Sequence, residues 1–151
     1  MNIKIQLQHP NAKAPTYGSD GAACFDLYAA TVNGCEQIGD VCYQGHPVLC
    51  DTGVAFEVPH GHVLSIKSRS GLAFNHSVVA FPGEIDSDYR GSVKVLLYSI
   101  TEDDDTPPVR IEPGQRIAQA RIEPAPQVQF ETVEQLTLTE RGTGGFGSTG
   151  K

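Results

Sequence analysis

No stretch of a dozen residues in this chain can be written as an amphipathic helix, and that constrains the fold more than any other feature. Short apolar or alternating runs recur instead, separated by turn signals at intervals of about 8–12 residues. Glycine occurs 16 times and proline 10 times, so the chain can be turned often. About ten short strands with such spacing imply an all-β fold, a jelly-roll-like barrel or sandwich. At 151 residues the chain is long enough for one domain with a real core. No internal repeat or linker divides it.

Taken in order, residues 2–7 alternate, with Ile3, Ile5 and Leu7 on one face. Pro10 and Pro15 break that run. Phe25 and Leu27 then flank Asp26, which the alternation puts on the wet face. Residues 31–49 are irregular, with one or two short strands expected. Val54, Phe56 and Val58 alternate, and residues 63–68 and 78–81 read as further strands. Residues 93–100 are apolar on both faces and imply a buried central strand. After the acidic loop 102–108 come a short strand at 109–112 and a longer one at 116–122. In the latter, Ile117, Gln119 and Arg121 share one face, and the glutamine needs a hydrogen-bond partner. Residues 128–138 are expected to supply the last pairing. A domain of residues 1–138 would thus precede a flexible glycine-rich arm, 139–151.

Composition excludes some functions. The net charge of −7 argues against a broad nucleic-acid surface, which needs clustered cations. No run of 18 apolar residues exists and no signal-peptide block opens the chain, so a cytoplasmic location without membrane attachment is expected. Cys24, Cys35, Cys42 and Cys50 are spaced 11, 7 and 8 residues apart. That matches no paired zinc knuckle, and the residues read as reduced thiols. His60 and His62 lack a matched third ligand and read as a surface turn.

Three stretches carry chemistry. In Gly83-Glu84-Ile85-Asp86-Ser87-Asp88-Tyr89-Arg90-Gly91, Asp86 and Asp88 are two residues apart. On an extended chain they would share one side, each disfavouring the other's charge. Such a pair can take a proton or sit near a metal; a solvated acidic turn is the plainer alternative. Ser68-Arg69-Ser70-Gly71-Leu72-Ala73 reads as a strand end entering a single helical turn. It offers free amides, hydroxyls and a guanidinium to an anion, or simply a serine N-cap. The tail from Arg141 has five glycines in eleven residues. It is costly to order, and lacks the strand–loop–helix context of a Walker loop. It reads as a disordered tail or as a lid that orders on a ligand.

Five blocks, in order along nearly the whole chain, together resemble the trimeric dUTP pyrophosphatase (dUTPase) family. They begin with Ala23-Cys24-Phe25-Asp26-Leu27, Arg69-Ser70-Gly71-Leu72-Ala73 and the 83–91 stretch. Gly114-Gln115-Arg116-Ile117-Ala118-Gln119 and the tail 141–150 complete them. The resemblance implies a jelly-roll subunit, a homotrimer with active sites shared between chains, and Mg²⁺-assisted hydrolysis of dUTP to dUMP and pyrophosphate. Such an activity keeps uracil out of DNA and supplies dUMP for thymidylate synthesis. Asp86 matches the family's general base, activating water for in-line attack on the α-phosphorus. Tyr89 matches the ring that packs on the deoxyribose and leaves no room for a 2′-hydroxyl. The turn through Gly83, with Ile85 beyond it, matches the wall that reads the uracil edge and excludes the thymine methyl group. Arg69, Ser70, Gly71 and Gln119 match the phosphate-holding positions, and Arg141 the γ-phosphate arginine. Phe146 matches the aromatic stacked over uracil, with Gly147 beside it; Ser148 and Thr149 match groups capping the γ-phosphate. Asp26 matches the acid that reaches hydrated Mg²⁺ through water.

Some positions depart from the family's pattern. Cys24 stands where the family usually has glycine, and Ala80 where it often has a polar residue. Residues 31–50 form an elongation read as a surface elaboration, with a site for a regulatory protein partner as the alternative. Two competing functions are the related dCTP deaminase activity and a nucleotide-responsive regulatory role.

Overall fold

The computed structural model describes residues 1–36, 39–43, 45–101 and 107–145. Among them run β1 (Lys4–Leu7), β2 (Thr16–Tyr17), β3 (Phe25–Tyr28), β4 (Thr31–Val32), β5 (Asp40–Cys42), β6 (Val48–Asp51), β7 (Val54–Glu57) and β8 (His62–Lys67). There follow α1 (Ser70–His76), β9 (Val78–Ala80), β10 (Gly83–Ile85), β11 (Lys94–Ser99), β12 (Val109–Ile111) and β13 (Arg116–Pro124). This is the jelly-roll-like, nearly all-β architecture that the turn spacing implies. No described helix is long and apolar enough to cross a membrane.

Two sheets enclose the core. One has the order β10-β8-β13-β3-β2, the other β4-β6-β11-β9; β1-β7 and β5-β12 form two-stranded ribbons. Period-two alternation decides which side chains enter. Phe25 and Leu27 of β3, Leu64 and Ile66 of β8, Val48 and Cys50 of β6, and Val95 and Leu97 of β11 share one buried cluster. Asp26, Gln119 and Lys67 fall on the opposite, outer face. The antiparallel register lines them up as Asp26↔Gln119↔Lys67 across β3, β13 and β8.

Several expectations need correction. Residues 93–100 are not buried on both faces: Val95 and Leu97 face the core, whereas Leu96 and Ile100 are exposed. The reason is that β11 belongs to a sheet covered on one side only. Ile117 does not share a face with Gln119 and Arg121. The register shifts between Arg116 and Ala118, and the irregularity turns Ile117 fully into the core. Residues 128–138 make no strand: regular pairing ends at Pro124, and Val128, Phe130, Val133, Leu136 and Leu138 are exposed. The single helical turn at 69–73 extends to His76, closed by Ser77 in the left-handed region (φ 53°).

The 31–50 segment is more than a surface elaboration, because Val32, Cys42, Val48 and Cys50 all enter the core. Its outer half is organised by Asp40. That carboxylate accepts from the Val41 amide at 2.7 Å and from the Asn33 side chain, and pairs with His46 Nε2 at 3.3 Å. The amide hydrogen bond, and then His46, hold its pKa below the usual carboxylate range. All four cysteines are free thiols. Burial pushes the Cys50 thiol up to about 12.

Candidate active site

The outer-face position of Asp26 places it between two guanidiniums. Arg69 Nε donates to Oδ1 at 3.2 Å and Arg116 Nη1 to Oδ2 at 3.1 Å. Arg69 Nη1 also donates to the Arg116 carbonyl at 2.9 Å, so the Arg69 fork is fixed at two of its nitrogens. The Asp26 side chain is only 14% exposed, that of Arg69 22% and that of Arg116 51%. Gln119 finds the partner that its position demanded: Nε2 donates to the Ser68 carbonyl at 2.7 Å. Its second amide proton is still available to a ligand.

Arg69 is the N-cap of α1, with extended backbone and no side-chain cap. The first amides of the helix, at Ser70 and Gly71, therefore lack both an intrahelical acceptor and a capping oxygen. Asp26, Arg69, Ser70, Gly71 and Gln119 thus form one group around the β8–α1 junction. It presents two guanidiniums, a free amide proton and backbone N–H groups, the chemistry of an oxyanion or phosphate cradle.

A second group lies on the 83–91 stretch. Gly83 and Ile85 sit in β10 against Ile66 and Leu64 of β8. Beyond Ile85 the chain turns, and the Tyr89 amide donates to the Asp86 carbonyl at 3.2 Å. Asp86 and Asp88 are therefore two positions of a turn and not of an extended strand, although both still face one cleft. Arg90 Nη1 holds the turn by donating to the carbonyls of Ser87 (2.8 Å) and Tyr89 (2.9 Å). The Tyr89 ring is 45% exposed, with its hydroxyl 3.3 Å from the Ser92 carbonyl. A side chain at residue 91 would run into that ring, so glycine is required for it to lie there. Asp86, Ser87 and Asp88 open onto a cleft of about 560 Å³, shared with His60, His62, Val63 and Gln127.

A third group is separate again. Arg141 lies on the exposed segment beyond β13, its Nε donating to the Gly144 carbonyl at 2.8 Å. Phe146, Gly147, Ser148 and Thr149 lie outside the described residues.

Asp86 and Arg69 lie toward opposite ends of β8, whereas Gly83 pairs with Ile66 near the Arg69 end. Asp86 lines a cleft with His62 and Val63, where the strand begins. Arg69 lies two residues past its end. Six residues of strand span about 20 Å, too far for one carboxylate and one guanidinium of the same chain to meet over a single phosphate. Two residues of the arrangement, Arg90 and Arg116, went unassigned in the sequence, and Ser68, expected to offer its hydroxyl to an anion, instead bonds Ala80. Arg116 stood inside a recognised block, three positions before Gln119. Its partner 90 residues away in sequence could not be read from local pattern.

The solved structure of the Staphylococcus bacteriophage 80alpha dUTPase G164S mutant with dUpNHpp is similar to this one, with a TM-score of 0.85. The two sequences are 27% identical, and the match covers 99% of each chain. A β-sandwich of this kind, with a cradle for anions and a separate acidic turn, falls in the structural class of the dUTPases. Two bacterial relatives are each named deoxyuridine 5′-triphosphate nucleotidohydrolase. That of Helicobacter pylori (strain Shi470) is 41% identical, covering 99% of this chain and 97% of the relative. That of Nautilia profundicola is 44% identical over the full length of both. The dUTPase family model matches residues 10–150, and the chain belongs to the dUTPase family of enzymes.

Proposed function

We infer that the protein hydrolyses dUTP to dUMP and pyrophosphate. The reading is carried by one observation: an anion cradle at 69–71 with Gln119, and an acidic turn with an aromatic at 86–89, on a chain similar to named dUTP hydrolases over its whole length. Arg69, the Ser70 and Gly71 amides and the free proton of Gln119 hold the phosphates. Tyr89 packs on the deoxyribose, while Gly83 and Ile85 border the uracil. Asp86 accepts a proton from a water poised for in-line attack on the α-phosphorus.

The 20 Å along β8 is met by sharing: one chain supplies Asp86 and Tyr89, a second supplies Arg69 and Gln119, and the arm from residue 139, with Arg141 and the aromatic Phe146, closes from a third. That assembly is the family's homotrimer. On this reading Ser148 and Thr149 cap the γ-phosphate, and Gly147, next to Phe146 in sequence, belongs to the same substrate-binding arm.

The residues present fit Mg²⁺ carried in by the substrate. Among the described residues no three His, Cys, Asp or Glu side chains are grouped to cage a metal. Asp26 gives one acceptor position on each oxygen to an arginine, leaving others for a metal-bound water. Bound there, Mg²⁺ would gather the phosphates and offset their charge. Arg69 and Arg116 hold the Asp26 carboxylate in a fixed direction.

The test is a panel of nucleoside triphosphates assayed for pyrophosphate release, with dCTP assayed also for ammonia. dUTP alone should be turned over rapidly. Asp86→Asn should bind dUTP and not hydrolyse it; parent-level turnover by that variant would refute the base assignment.

A further inference from the structure

We propose that Ser68 is a positioning residue that couples the base-reading turn to the phosphate cradle and thereby sets selectivity for dUTP over dTTP. The inference rests on the function proposed above. Ser68 is the first of the two residues between β8 and α1, immediately before Arg69. Its hydroxyl lies 3.2 Å from the Ala80 carbonyl, to which it donates, and 3.1 Å from the Ala80 amide, from which it accepts. Its own carbonyl accepts from Gln119 at 2.7 Å.

The geometry around Ala80 explains why a hydroxyl is needed there. β9 is the edge of its sheet, with β11 on one side only. Phe81 donates to the Leu96 carbonyl at 2.7 Å, so in the antiparallel alternation Ala80, paired with Leu97, turns its N–H and C=O toward the open edge. A strand neighbour would normally satisfy both groups. One side chain from the other sheet does so instead, acting as donor and acceptor at once.

Three residues past Ala80, Gly83 is held in register with Ile66 of β8. The turn at 81–82, which carries the backbone that meets the uracil edge, is therefore anchored at both ends. Ser68 is one anchor and β8 the other. Through its carbonyl the same residue fixes Gln119, and through the next peptide it sets the start of Arg69. A shift at Ser68 moves the uracil wall and the phosphate cradle of this chain together.

Ser68→Ala removes both hydrogen bonds and frees one end of the turn. A wall with play in it rejects the 5-methyl group less well. The kcat/KM ratio of dUTP to dTTP should fall by roughly tenfold, and KM for dUTP should rise. Ser68→Thr keeps the hydroxyl and should restore the ratio to within about threefold of the parent. Hydrogen exchange at the Ala80 amide gives a readout independent of turnover, and it should speed up at least roughly tenfold in Ser68→Ala. Should the alanine variant not fold, Ser68→Cys, with its weaker donor and acceptor, replaces it and must lower the ratio. An unchanged ratio, or an equal fall in the threonine and alanine variants, overturns the role of the hydroxyl. A parent protein inert toward dUTP would instead overturn the function itself, and the exchange result would still decide the anchor.

Discussion

Replacing Asp26 by asparagine tests the centre of the phosphate cradle. The carboxylate meets guanidiniums at 3.2 and 3.1 Å. With an effective dielectric constant near 20, each contact is worth roughly 5 kcal/mol of gross attraction, most of it offset by lost hydration. The Arg116 pair is half in water and counts as a surface pair, worth about 0–1 kcal/mol. The Arg69 pair is better shielded, and breaking a fully buried pair costs about 3–5 kcal/mol. An asparagine can accept from one arginine, but its NH₂ faces the other donor to donor. A net loss of about 2 kcal/mol follows, between those limits. For a domain of this size that lowers Tm by about 4–8 °C. Circular dichroism melts at one fixed protein concentration would measure it, since an oligomer's Tm varies with concentration. Arg116→Gln alone and combined with Asp26→Asn completes a double-mutant cycle, with an expected coupling of about 0.5–1 kcal/mol. KM for dUTP should rise in both single variants, because Arg69 loses its fixed direction. A Tm within about 1 °C of the parent, together with no coupling, would refute the bracket.

Other outcomes follow from the same structure. Deleting residues 141–151 should lower kcat roughly 10–100-fold, the worth of a charge-assisted contact and a lid, while the melt stays unchanged; equal rates would remove the arm from the site. Gly91→Ala pushes the Tyr89 ring aside and should raise KM for dUTP with a smaller effect on Tm, measured by steady-state kinetics beside a melt. At pH 8 a thiol reagent should modify exposed Cys35 and, more slowly, half-buried Cys24, while Cys42 and Cys50 react only in denaturant. Rapid modification of Cys50 in the native protein, whose thiol burial pushes up to about 12, would contradict its place in the core.

What could be read in the sequence was local. The alternation around Asp26 gave its outward face correctly because a two-residue period survives any packing of the strand. The partner of Gln119 was expected but not identified, since the Ser68 carbonyl is brought to it only by the pairing of β13 with β8. The same alternation failed at Ile117, where one irregular step reverses a face without any glycine or proline to announce it. It failed again at Asp86 and Asp88, where a turn replaces a strand. Residues 128–138 have the β-rich composition of a strand and still make none, because a strand is stabilised by its partners and this segment pairs with none of the described strands. The core role of Cys42 and Cys50 was hidden by the irregular sequence between them. The blocks resembling the dUTPases carried the family, since they span the chain, but not the distance between Asp86 and Arg69.

The exposed run beyond Pro124 has a consequence for the life of a single chain. Phe130 is 95% exposed, and Leu136 and Leu138 nearly as much. A newly made copy, alone, carries a greasy ribbon into the surrounding water, open to proteases and to the wrong company. Such a polypeptide is safest when it is plentiful, and dilution is a hazard to it quite apart from any loss of catalysis.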